Sequence, residues 1–174
     1  MRVRRYFAFV DLCGSTRFTE VHGDEEAVAL LTGFRTLVRV VASEHGVRIA
    51  KWLGDGAMFV STEAPALGAA IVALQRQAVG EVHLPIRAGV SGGDVILFEG
   101  DDYIGSPVNL AARLSDVAAP GEVLASADMA EFVPEDGKVR AVDPRLVPGF
   151  MQPVPIVAIG AAEPITETHE IIAG

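Results

Sequence analysis

The sequence predicts an α+β domain, built on an antiparallel sheet with helices covering one face. Three observations predict it. Two strand-like runs, residues 47–53 and 57–61, are joined by Gly54-Asp55-Gly56, the spacing of a β-hairpin with a glycine-flanked tip. Strand-like and helix-like segments follow one another in the order βα-α-ββ-α-ββ-αβ, which places that hairpin at the centre. A chain of 174 residues with 50% hydrophobic content can bury one substantial core.

Each element has its own signal. Residues 3–10 alternate loosely and form a first strand that ends on Asp11-Leu12-Cys13-Gly14-Ser15-Thr16. Ser15 and Thr16 are suited to capping a helix, so a strand–turn–helix is expected there. Asp24 and Glu25 open a longer helix whose residues Val28, Leu31, Phe34, Val38 and Val41 fall on one face, with Gly46 as its C-cap. Residues 63–79 form a helix rich in Ala, Leu and Ile, and 86–90 and 95–98 form two strands. Residues 107–117 form a helix with Pro107 near its start, where the ring is tolerated. Short strands follow at 121–125 and 154–159. Residues 1–160 read as one domain and 161–174 as a loosely attached tail.

Composition narrows the function. A net charge of −9, from 23 acidic and 14 basic residues, argues against a nucleic acid polymer or an anionic membrane as partner. It leaves nucleotides open, because divalent metals can stand between a triphosphate and carboxylates. The longest aliphatic stretch, residues 67–74, is far shorter than the ~20 residues of a membrane helix. No signal peptide is visible, and the single cysteine, Cys13, excludes an internal disulfide. The expected location is the cytoplasm.

Two carboxylates stand at turns. Asp11 ends the first strand and Asp55 tips the hairpin. If that strand pairs beside the hairpin, as in a ferredoxin-like sheet, both acids meet at one edge and suit Mg²⁺ or Mn²⁺. Taken alone, Asp beside Gly is ordinary hairpin chemistry. Gly14-Ser15-Thr16 precedes a helix, whose free N–H groups favour an anion, yet the chain lacks a P-loop signature. Asn109 and Arg113 are four apart and share a helix face. Arg braces phosphoryl groups and Asn can orient a sugar oxygen, although such a pair is also common on a solvated helix.

Together, residues 7–16, Lys51-Trp52-Leu53-Gly54-Asp55-Gly56 and residues 102–114 resemble the catalytic domains of class III nucleotidyl cyclases. The resemblance covers roughly residues 5–160, in motif order and spacing. The short segment between Val95 and Asp102 is similar to the compact bacterial subtype with a short dimerisation arm. The resemblance implies conversion of ATP to cyclic AMP and pyrophosphate in a homodimer with shared active sites. It implies Asp11 and Asp55 as ligands of two divalent metal ions, Mg²⁺ or Mn²⁺. Lys51 and Asp102 would select the base, and Asn109 and Arg113 would act on the transition state. Gly14, Ser15 and Thr16 would take phosphate oxygens. Lys51 is a donor only and ionised Asp102 an acceptor only, which matches adenine and opposes guanine.

One position departs from the family pattern. A basic phosphate contact is expected just before Gly149-Phe150, where this chain has Pro148, and Arg145 lies three residues earlier as a substitute. Other signals carry no function. Ser91-Gly92-Gly93-Asp94-Val95 is similar to a diguanylate cyclase signature, but Val95 and Ile96 stand where an acid and an aromatic are required. His22, His45, His83 and His169 lack metal-ligand spacing, and Cys13 reads as a small buried hydrophobe. The competing expectations are a silent, nucleotide-binding regulatory module and a dimerising scaffold.

Overall fold

The computed structural model describes residues 1–161. The expected tail lies outside the described residues except for Ala161, which closes the final strand. In chain order the elements are β1 (Arg2–Leu12), α1 (Ser15–His22), α2 (Asp24–His45), β2 (Arg48–Leu53), β3 (Gly56–Ser61), α3 (Ala64–Glu81), β4 (Ile86–Phe98), β5 (Asp102–Ile104), α4 (Ser106–Val117), β6 (Val123–Ser126), β7 (Gly137–Ala141) and β8 (Ile156–Ala161). A short 3₁₀ helix, Ala127–Phe132, follows β6.

The strands form one sheet in the order β2-β3-β1-β4-β6-β8-β7, with β5 paired to the far part of β4. All pairs are antiparallel except β4 with β6. Alternation along β1 decides the layers. Ala8, Val10 and Leu12 face one side, where Phe34, Val38 and Val41 of α2 and Leu67, Ile71 and Leu74 of α3 complete the main core. Phe7 faces the other side, where Met58, Val60, Val95 and Ala111 of α4 form a second cluster. The two long helices thus cover one face, as expected, and α4 adds cover to part of the other.

The α+β class and the β2–β3 hairpin agree with the sequence reading, and several details correct it. Residues 86–98 form one unbroken strand rather than two. The segment Ser91-Gly92-Gly93-Asp94 between the two expected strands stays extended, because Gly92 pairs with Tyr6 and lies under its ring. A Cβ at Gly92 would sit 2.2 Å from Tyr6 Cδ1, so glycine is there for close approach and not for chain reversal. Val28 is 64% exposed, not buried. The first turns of α2 face α1 through Ala27, Leu30 and Leu31, which turns Val28 outward. Gly46 caps α2 as expected, in the left-handed conformation. Strands β5 and β7, three and five residues long, were not anticipated.

Candidate active site

The register of β1 against β3 brings the two turn aspartates together. Asp11 pairs with Gly56, so Asp55 lies one residue from the strand partner of Asp11. Gly56 permits this approach, since a Cβ there would stand 2.7 Å from the Val10 carbonyl and 3.1 Å from Asp11 Cβ. The Leu12 N–H donates to the Asp55 carbonyl at 3.1 Å, which ties the hairpin tip to the end of β1. The Ser15 hydroxyl donates to the Asp55 carboxylate.

That bond changes the expected role of Ser15. Neither Ser15 nor Thr16 caps α1; Gly14 is the N-cap, and no side chain caps the helix. The first N–H groups of α1 therefore point toward the same end of the sheet without a side-chain acceptor, an arrangement that favours an anion.

Asp11 has a partner that the sequence reading missed. The Arg87 guanidinium, from the start of β4, lies across from it in the ladder and donates through Nε at 3.1 Å and Nη2 at 3.2 Å. Arg87 also donates to the Asp116 carbonyl at 3.1 Å, and the buried Ser115 hydroxyl stands 3.4 Å from Asp11. Hydrogen bonding to Asp11 raises the Arg87 pKa further above its ordinary value, so Arg87 remains a cation. A single charge in the otherwise apolar run Ile86-Arg87-Ala88-Gly89-Val90 was the available signal. Cys13 is half-buried rather than buried, and burial pushes its thiol up.

The chemistry of this donor set fits a hard divalent cation. Asp11 and Asp55 supply carboxylate oxygens, and a protonated Cys13 thiol is a poor competitor. Among the described residues no group of three or more His, Cys, Asp or Glu forms a closed metal cage. Further ligands must come from solvent, backbone or a phosphate-bearing substrate.

A second cluster lies on the α4 side of the sheet. Lys51, paired with Met58 in the hairpin, forms an ion pair with Asp102 at the start of β5. Both are about half exposed, at 49% and 53%, so the pair adds little stability and remains available to a ligand. They edge a cleft of about 520 Å³ whose floor includes Phe9, Met58, Tyr103 and Val108. Asn109 and Arg113 lie on the exposed face of α4, four residues apart, with Arg113 Nη1 3.2 Å from Asp116. Arg145 stands 3.9 Å from Glu122, at the β6 side. The structure thus brings Asp11 beside Asp55 and joins Lys51 with Asp102, while Asn109 and Arg113 lie apart from both groups on the exposed face of α4, with Arg113 paired to Asp116.

Comparison with known proteins decides the family. The chain is 37% identical over 147 residues to an uncharacterized Mycobacterium tuberculosis protein, a match that covers 84% of this chain and 38% of that protein. It is 33% identical over 124 residues to an adenylate cyclase of Streptomyces coelicolor, covering 71% of this chain and 32% of that enzyme. The crystal structure of the adenylyl cyclase CyaB from P. aeruginosa superposes with a TM-score of 0.74 at 28% identity, over 91% of this chain and 94% of that one. The chain belongs to the class III adenylyl/guanylyl cyclase catalytic domains. No protein-family model matches it. This cyclase domain spans about a third of the length of the two curated relatives, the mycobacterial protein and the Streptomyces enzyme.

Proposed function

We propose that this cyclase domain converts ATP to 3′,5′-cyclic AMP and pyrophosphate, in a homodimer whose active sites are shared between chains. The observation that carries the proposal is the convergence of Asp11 and Asp55 at the strand end beside an uncapped helix N-terminus. In the reaction the ribose 3′-oxygen bonds to the α-phosphorus, the bond to pyrophosphate breaks, and the hydroxyl proton passes to solvent. Asp11 and Asp55 would hold two divalent ions, which when bound would supply Lewis acidity toward the 3′-hydroxyl and offset the triphosphate charge.

The remaining work falls to side chains and amides. The Gly14 to Thr16 amides take β- and γ-phosphate oxygens. Arg87, already a cation at this end, supplies positive charge where Pro148 supplies none. Arg145 is a further phosphate contact in this reading, reached by parting from Glu122. Arg113 stabilises charge that builds on the α-phosphoryl oxygens, and Asn109 holds the ribose in line. In the homodimer these two come from the chain opposite Asp11 and Asp55.

Base selection rests on Lys51 and Asp102. The Lys51 ammonium has three donors, so the bond to Asp102 leaves two for adenine N1, and Asp102 keeps lone pairs for the N6 amino group. Guanine reverses both polarities. The test is incubation of purified protein with Mn²⁺ and either ATP or GTP, with separation of the cyclic products. Cyclic AMP in clear excess supports the proposal; binding without product supports a silent regulatory module instead.

A further inference from the structure

The hairpin tip is held from a third side, by α2. Arg35 donates from Nη2 to the Gly54 carbonyl at 3.2 Å, one residue before Asp55. Its guanidinium lies over the Trp52 ring, 4.9 Å from the centroid, and Arg39 lies 5.0 Å from the same ring. Trp52 belongs to β2, so the stack fixes the guanidinium against the strand that leads into the tip. The Arg35 Nε, however, is buried and has no hydrogen-bond partner among the described residues. A methionine, though shorter, would still lay apolar atoms along Trp52 without that cost, so stability alone does not account for arginine.

The geometry points to Arg35 as a positioning residue, one that fixes the Gly54-Asp55 turn and thereby aims the Asp55 carboxylate. The inference rests on the reading of Asp55 as a metal ligand. Of the two stacked arginines, Arg35 is the one bonded to the tip. That difference separates a positioning role from simple stacking or from local charge. Residues that orient metal ligands from outside the coordination sphere change affinity by ~10–100-fold when removed.

The experiment is Mn²⁺ titration of the nucleotide-free protein, followed by the paramagnetic signal of the unbound ion, together with thermal unfolding. Arg35→Met should bind Mn²⁺ about 10-fold more weakly while its unfolding midpoint is unchanged or raised. Arg39→Met should bind as the unaltered protein does. Arg35→Lys, which restores a charged donor, should recover part of the affinity and serves as the second variant if Arg35→Met folds poorly. Wild-type affinity in both Arg35 variants overturns the inference, as does an equal loss in Arg39→Met. Failure of the metal reading has its own signature: Asp55→Asn then binds Mn²⁺ as tightly as the unaltered protein, which removes the ligand that Arg35 is said to aim.

Discussion

Adding one methyl group at Gly89 should damage both stability and catalysis, because α4 rests directly on that position. A Cβ there would stand 2.1 Å from the Ala111 carbonyl oxygen, 2.3 Å from the Ser115 nitrogen and 2.8 Å from Leu114 Cβ. The first two are backbone atoms of a helix and cannot rotate aside. Restoring ordinary separations of ~3.5 Å requires α4 to lift by about 1 Å or more. Overpacking of this kind costs roughly 3 kcal/mol, at the upper end of its usual range, or about 6–12 °C in Tm for a domain this size. The helix carries Asn109 and Arg113, so the same displacement moves both exposed groups. A shift of ~1 Å in a positioning group costs ~10²-fold in rate. The assay pairs thermal unfolding with cyclic AMP formation at saturating ATP and Mn²⁺. Gly33→Ala is the control, since nothing lies within 4 Å of a Cβ at that helical position. It should stabilise by about 0.5–1 kcal/mol and leave the rate unchanged. A Gly89→Ala protein with wild-type Tm and rate would refute the claim that α4 is seated on the sheet at this glycine.

Asp11→Ala and Asp55→Ala should each lower product formation by ~10²-fold or more while circular dichroism stays native-like. Asp11→Ala should also lose a little stability, seen in urea unfolding, because it strands the half-buried Arg87 cation. Lys51→Glu combined with Asp102→Cys should reduce the kcat/KM for ATP, by as much as ~10⁴-fold, with the GTP reaction measured alongside; unchanged ATP kinetics would place base selection elsewhere. Co-refolding Asp11→Ala with Arg113→Ala should restore roughly a quarter of wild-type sites. In each mixed dimer one site carries both defects and the other carries none. Mixing Asp11→Ala with Asp55→Ala should restore nothing, since every site then lacks one carboxylate.

What the sequence disclosed was set by how local the signal is. The Gly54-Asp55-Gly56 tip and the Gly46 cap are local, and both stand where the spacing puts them. The Asp11–Asp55 meeting needed only one further assumption, that β1 pairs beside the hairpin. The break expected between residues 90 and 95 is absent, because Gly92 and Gly93 mark close approaches to Tyr6 and to Pro107, contacts that local sequence does not show. Ser15 likewise had two uses, a helix cap or a bond to Asp55, and the second depends on a tertiary contact. Arg87 and Arg35 were missed for the same reason. Their partners lie 76 and 19 positions away in sequence, beyond the reach of periodicity or capping rules. The candidate residues that carry a motif were legible, and the arginines that contact them from distant strands and helices were not.

The long register of β1 against β4 has a consequence in time. Asp11 and Arg87 are 76 positions apart, so during synthesis the aspartate leaves the ribosome well before its cationic partner exists. At ~5–20 residues per second the interval is about 4–15 s. Throughout it β1 can pair with β3 once the hairpin has emerged, but its other edge, from Arg2 to Leu12, has no strand to join. An open edge with Phe7 and Phe9 on one face and Val10 on the other is a template for wrong partners. The strand that ends on Asp11 is therefore also exposed to misassembly while it waits, and the arrival of β4 supplies both the missing strand and the cationic partner.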